Sequence, residues 1–295
     1  MDSIKLTTAR LAALPAIVPL LLWMAVPLAL TLYFSFIPYN LLRPDAVGHF
    51  DFTLINYEYF LTDYAFWRSL VNTAVLVGAV LLISVVVGIA IAVLFSAPFR
   101  GLGAARLLVI APFFIMPTVA ALVWKNLLMH PVNGLFAHAL AFAGMPVIDW
   151  FADAPLFAII ILVSWQWSAF AGLILLTAMQ SLDEEQKDAA QMDGASGVAF
   201  FWHIILPHLA RPIAAVVLIE TIFLLAVFAE IFVTTNGGPG LATTNLAFLI
   251  YKQALLDFDV GGASSGGVIA VIIANVAAFF LMRLVGKNLA GEKDA

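Results

Sequence analysis

The chain has 295 residues, 64% of them hydrophobic and only 11% charged, with 24 Phe and 7 Trp. Soluble domains average about 45–50% apolar and about 25% charged residues, so a larger core does not account for the excess, and the composition is that of an integral membrane protein. The absence of cysteine excludes disulfide scaffolds, thiolate metal sites, Fe–S clusters and cysteine nucleophiles, and a formal net charge of -5 with scattered basic residues offers no patch for nucleic acid.

Six charge-poor intervals approach or exceed the length needed, at about 1.5 Å per residue, to cross about 30 Å of hydrocarbon. The first runs from Leu11 to Phe36. Arg10 and Arg43 are separated by 32 uncharged residues. A secretory signal has an apolar stretch of only about 7–15 residues, so this segment is expected to stay as a helix, with Pro27 marking a kink. A loop over 37–69 leads to the second span, Leu70 to Phe95. The third, Leu107 to Trp124, is the shortest and carries Pro112 and Pro117, where freed carbonyls can bend a helix around a cavity. A second loop covers 125–153.

The fourth span, Ala154 to Gln180, sets Gln166 among Trp165, Trp167 and Phe170. Carboxylates and amides exchange hydrogen bonds with sugar hydroxyls while aromatic rings pack on C–H faces, so this mixture suits a polyol. The segment Ser181 to Arg211 has 31 residues, too long and too structured for a plain turn. Ser181 and Glu184 fit a capping box, and Asp183, Glu184 and Glu185 sit where a helix N-terminus favours negative charge. A short helix is expected to end near Met192, with Gly194 as the break and Ser196 capping a second helix. Phe200, Phe201, Ile204, Ile205 and Leu206 form an apolar stretch before Pro207 and Pro212, which are expected to redirect the chain.

The fifth span, Pro212 to Thr235, holds Glu220 and Glu230, the only charges within the six intervals. Intramembrane ionisable groups usually face a cavity or a partner helix, and Glu220, near mid-depth, is the better candidate for contact with solute. Consecutive turn formers, Asn236-Gly237-Gly238-Pro239-Gly240, open a loop over 236–259. The sixth span, Val260 to Met282, offers Asn275 and a small-residue pair, Gly262 and Gly266, suited to helix packing.

On the side holding both termini lie nine basic residues (Lys5, Arg10, Arg100, Arg106, Lys187, Arg211, Arg283, Lys287, Lys293), against Arg43, Arg68, Lys125 and Lys252 on the other. The positive-inside rule places both termini and the 181–211 element in the cytoplasm. The opposite side carries eight acidic residues, Asp45 and Asp51 among them, and is mildly acidic.

The 181–211 element resembles a known pattern. Asp188-Ala189-Ala190, three residues, Gly194, nine residues, then Ile204-Ile205-Leu206-Pro207 keeps every spacing of the EAA loop of binding-protein-dependent ABC importer permeases. Asp188 stands where that family has Glu, which keeps the carboxylate but shortens its reach by one methylene. Thr235-Asn236-Gly237-Gly238-Pro239, followed by Thr243, Thr244 and Tyr251, is similar to the Thr-x-Gly-Gly-Pro loop of the family's maltose-permease-like carbohydrate branch. Tyr39-Asn40-Leu41-Leu42-Arg43-Pro44-Asp45 resembles permeases for sugar alcohols such as sorbitol and mannitol.

The resemblance implies an all-α, polytopic, single-domain type I importer permease in the bacterial inner membrane. It implies a second homologous permease, two copies of a cytoplasmic ATPase that hold ATP and Mg, and a periplasmic binding protein that delivers a sugar or sugar alcohol. Asp188, Ala189, Ala190, Gly194, Ile204, Leu206 and Pro207 would form the coupling element, with Asp188 meeting a basic group of the ATPase. Glu220, Gln166, Trp165, Trp167 and Phe170 are the candidate solute contacts. Helix packing by the two tryptophans, and a bridge from Glu220 to the partner permease, stay open as alternatives.

The chain itself has no Gly-x-x-x-x-Gly-Lys-Ser/Thr, His-Glu-x-x-His or Gly-x-Ser-x-Gly run, so no cofactor chemistry or catalysis is expected of it. A proton-coupled carrier using Glu220 and Glu230 is the alternative function. It leaves the 181–211 element without a role.

Overall fold

The structure is a computed structural model that describes the backbone of residues 2–43 and 52–290 and the side chains of 15–43 and 52–283. Among the described residues it is all helical, with the isolated bridge Asn40 to Asp259 as its only β pairing. Among the described residues five helices are long and apolar enough to cross a membrane, and a bent helix pair makes a sixth candidate. Lys5, Arg10, Lys287 and Lys293, on which the orientation leaned, lie outside the described side chains, as do Pro44, Asp45 and Asp51.

The chain, read from its sequence as one permease domain, is described as two compact units. The first comprises Met1–Phe66 and Leu249–Ile272. Its long helix α1 (Asp2–Ser35) runs unbroken through Pro15, Pro19 and Pro27. Helix α2 (Ile55–Thr62) is tied back to it: Asn56 Nδ2 donates to the carbonyls of Ser35 at 3.0 Å and Ile37 at 2.8 Å. The start of α14 (Val260–Ala290) closes the unit, with the Gly261 amide donating to the Tyr39 carbonyl at 2.9 Å. A side chain on Gly266 would run into the Phe60 ring, so this glycine permits close packing. Gly262, expected to share that role, faces the Asp259 carboxylate that caps its own helix, because the Asp259 side chain folds over the first turn.

The second unit comprises Trp67–Phe248 and Ile273–Ala295. Helix α3 (Tyr64–Leu94) contains no proline and runs for 31 residues. The third expected span is not one kinked helix. Helix α4 (Leu102–Ile110), tightened over Ala111–Phe114, meets α5 (Pro117–Val123), widened over Trp124–Leu128, at a bend of 105°. The cause is local: Pro117 excludes the helical region for the residue before it, and both Ile115 and Met116 are extended, at ψ 130° and 136°. Helices α6 (Leu135–Phe142) and α7 (Trp150–Asp153) then lead to α8 (Pro155–Met179), the most deeply buried span.

Helix α8 packs on α3 where glycine allows it, since a Cβ on Gly88 would collide with Ala171 at 2.6 Å. Ala92, Ala171, Leu175, Leu176, Met179, Ile205, Leu209 and Val216 form one buried cluster that joins α3, α8 and the helix that follows the 181–211 element.

That following helix corrects two expectations. Pro207 and Pro212 do not redirect the chain: α10 (Gly197–Phe200), a wide turn over Phe201–Ile205 and α11 (Leu206–Leu224) make one apolar run of 28 residues. The wide turn lies just ahead of Pro207, where the ring would otherwise press on the carbonyl four residues earlier. At its other end the helix stops at Leu224, so the fifth span is broken, and a separate short helix α12 (Ala229–Thr234) carries Glu230.

Candidate functional site: an aromatic cavity beside a broken helix

The two helix breaks lie at one cavity of about 480 Å3, bounded by α5, α8, α11 and α12. Its wall includes Phe113, Trp167, Phe170 and Phe223, a contiguous ring cluster with centroids 5.1 Å apart for Phe113 and Phe170 and 5.7 Å for Trp167 with both Phe170 and Phe223. Edge-on and tilted contacts at these distances hold the rings in place. Gln166 and Glu230 supply the polar wall. The Gln166 amide nitrogen donates to the Ile115 carbonyl at 3.0 Å, a group that the break before Pro117 leaves without a helical partner.

Glu230 is 5% exposed and stands in the first turn of α12. Both ends of that short helix are held. Asn245 Nδ2 donates to the Val227 carbonyl just before it, and Lys125 Nζ donates to the carbonyls of Val233 at 3.1 Å and Thr234 at 2.7 Å. A cation at helix C-terminal carbonyls is favoured by the aligned peptide dipoles. Behind α12, the Asn236–Gly240 turn has positive φ at Asn236, Gly237 and Gly240, and a Cβ on Gly237 would strike Phe248 and Thr244. Asn72 Nδ2 binds the carbonyls of Leu241 and Thr244, and Thr235 and Thr243 join hydroxyls at 2.7 Å.

Gln166, Trp167 and Phe170 are therefore brought together, and the acid beside them is Glu230. Glu220 is not in this wall. It is fully buried, and its Oε2 accepts from Ser84 Oγ of α3 at 2.5 Å. Trp165, on the opposite face of α8, lines a second cavity of about 560 Å3 with Trp124, Ser164 and Ser168 among aliphatic residues of α3 and α4. Residues at 165 and 167 of one helix diverge by about 200°, which the sequence order conceals. Sequence reasoning missed Ser84, Lys125, Asn72, Asn245 and Gly88. The signal available was a polar residue inside an apolar interval for Ser84 and Asn72 and at its edge for Lys125; Gly88 and the loop residue Asn245 gave none.

The 181–211 element is a helix pair. Helix α9 (Glu184–Met192) is capped by Asp183, whose carboxylate accepts from the Glu185 amide at 3.1 Å; Ser181, expected as the cap, instead donates back to the Ala178 carbonyl because α8 extends almost to it. Gly194 has φ +71° with open space around it, and Ser196 caps α10 through the Ala199 amide. Asp188 and Ala189 are exposed and Ala190 buried, while Ile204 and Leu206 are half-buried and Pro207 exposed. The anchors are Ile205 and Leu209, both in the buried cluster. Among the described residues no group of three His, Asp or Glu side chains could hold a metal ion.

A family model described as a binding-protein-dependent transport system inner membrane component matches residues 84–291. A probable ABC transporter permease of Sinorhizobium fredii is 32% identical over 95% of this chain and 91% of its own length. The trehalose/maltose transport system permease of Thermococcus litoralis is 31% identical over 72% of each chain. Among solved structures, a bacterial ABC transporter involved in the import of the acidic polysaccharide alginate has a chain that superposes with a TM-score of 0.83 at 21% identity, covering 97% of both chains.

Proposed function

The chain belongs to the family of binding-protein-dependent transport system inner membrane components, which makes it a permease subunit of an ABC importer, and from that premise we propose that it carries a carbohydrate or sugar alcohol. Sorbitol and mannitol are the first candidates, on the resemblance of the Tyr39–Asp45 segment to sugar-alcohol permeases. The observation that carries the solute class is the cavity wall, which combines Glu230 and Gln166 with five aromatic residues. Hydroxyl groups donate to the carboxylate and amide oxygens, and C–H faces pack on Trp167 and Phe170. A curated relative is named for trehalose and maltose, which supports a glycan-like solute.

This chain forms half of the pathway in our reading, and a second homologous permease forms the other half. Two ATPase copies bind ATP and Mg beneath them, and a periplasmic binding protein delivers solute from the far side of the bacterial inner membrane. The exposed α9–α10 knob around Gly194 seats in the ATPase, with Asp188 facing a basic group there. Because Ile205 and Leu209 root the helix after the knob in the same buried cluster as α3 and α8, closure of the ATPase pair is passed to the spans as a rigid-body displacement. In this scheme Glu230 contacts solute and Glu220 clamps α11 to α3.

The test is uptake of labelled sorbitol, mannitol and maltose into proteoliposomes holding both permeases and the ATPase, with the binding protein added outside. ATP-dependent uptake of one of them supports the proposal. Uptake by this chain alone, driven by a proton gradient and indifferent to ATP, would overturn it in favour of a carrier.

A further inference from the structure

The charge of the cavity says more about the solute than its shape does. Among the described residues of the wall, Glu230 is the one ionisable side chain and no basic group accompanies it. Lys125 is engaged with the Val233 and Thr234 carbonyls at the end of α12, the helix that carries Glu230. The other polar side chain, Gln166, has its nitrogen turned to the Ile115 carbonyl. An amide so held keeps its oxygen, an acceptor, and its second N–H for other partners. Carboxylate oxygens and an amide oxygen give the polar wall its acceptors, and none of its side-chain donors is cationic. The apolar wall includes the rings of Phe113, Trp167, Phe170, Phe223 and Phe228.

A carboxylate beside clustered aromatic rings is the combination that recognises an organic cation: the ring quadrupoles attract an ammonium group, and a buried carboxylate neutralises it. The same wall disfavours a phosphate, sulfonate or carboxylate, which would enter beside Glu230 with no cation to meet it. A neutral polyol is accommodated through its hydroxyl donors but brings no cation to pair with Glu230. Building on the carbohydrate-import reading above, we propose that Glu230 is the charge-selecting residue of this cavity and that the preferred solute is an amino-substituted sugar or sugar alcohol, ranked above its neutral parent and above any anionic derivative. The solved relative named for an acidic polysaccharide shares the fold, and by this reasoning charge selection is set by side chains of the cavity and not by the fold.

The ranking is measured on the purified permease–ATPase complex in detergent without binding protein, so that the membrane cavity alone selects. Saturation-transfer NMR titrations compare sorbitol, 1-amino-1-deoxysorbitol and sorbitol 6-phosphate at neutral pH, in the unchanged complex and in Glu230→Gln. The expected result is binding of the amine about tenfold tighter than sorbitol, with the phosphate weakest. In Glu230→Gln the amine should lose its advantage, the three falling within about twofold of one another, because the amide keeps the shape but not the charge. Equal binding of the amine and sorbitol in the unchanged complex overturns the proposal without any variant, and leaves the carbohydrate reading standing. An order that survives Glu230→Gln overturns the assignment to that residue. Absence of binding by all three removes the carbohydrate reading itself, and the proposal with it.

Discussion

Replacing Glu220 separates a clamp from a solute ligand. The side chain is fully buried between α11 and α3, with Oε2 2.5 Å from Ser84 Oγ and Oε1 without a hydrogen-bond partner. Glu220→Ala deletes the hydrogen bond, worth about 1.5–3 kcal/mol when a charged or strongly polar group is involved. It also leaves a void the size of the lost side chain, adding roughly 1–2 kcal/mol on the scale of large-to-small core changes. Ser84 is not stranded, because its hydroxyl also reaches the Leu81 carbonyl at 3.2 Å, so no further desolvation penalty arises. The net expectation is a loss of about 2.5–5 kcal/mol in the packing of α11 on α3. Glu220→Gln keeps the volume and a hydrogen bond to Ser84 and should cost less than about 1 kcal/mol. The assay is thermal unfolding of the purified complex, followed by tryptophan fluorescence, alongside ATP-driven uptake. Destabilisation in Ala with near-normal stability and uptake in Gln is the predicted pattern. A Gln variant that is stable yet fails to transport would refute the clamp and return Glu220 to the solute path.

Three more outcomes follow from the geometry. Gly88→Leu should prevent assembly of a detergent-stable complex, because the added Cβ alone meets Ala171 at 2.6 Å; normal yield in size-exclusion chromatography would contradict the close α3–α8 contact. Gly194→Val should leave the complex intact, since nothing lies within 4 Å, but strain the positive-φ turn by roughly 1–2 kcal/mol and uncouple ATP hydrolysis from uptake. Intact coupling in that variant would show that the knob geometry is dispensable. Lys125→Met should release the C-terminal carbonyls of α12, raise hydrogen exchange over residues 229–235 and weaken solute binding, whereas Lys125→Arg should restore both; unchanged exchange in the Met variant would show that α12 is held by other contacts.

The helical class, the approximate spans and the break at Gly194 were legible because each rests on a local cause. An ionised group is costly in hydrocarbon, so charge-free intervals mark spans, and glycine tolerates φ +71°, so it marks a helix end. The expected end near Met192 and the Ser196 cap rest on similarly short-range signals. Proline was the ambiguous letter. Pro117 breaks its helix and Pro207 does not, because a wide turn ahead of Pro207 takes up the ring, while the extended Ile115 and Met116 before Pro117 offer no such turn.

What the sequence determined by itself is the list of chemistry available inside the membrane: two carboxylates, an amide and a run of aromatic residues on the fourth and fifth spans. Which of them share a cavity was decided by tertiary structure alone. Residue 220 sits on an intact helix face turned toward α3, while residue 230 follows a break that reorients the chain toward Gln166 and Trp167. The break at Leu225–Phe228 is fastened by Asn245, and the helix beyond it by Lys125, residues about 18 and 108 positions away from the carbonyls they hold. No periodicity within the fifth span records those distant partners, and the direction in which Glu230 points depends on them.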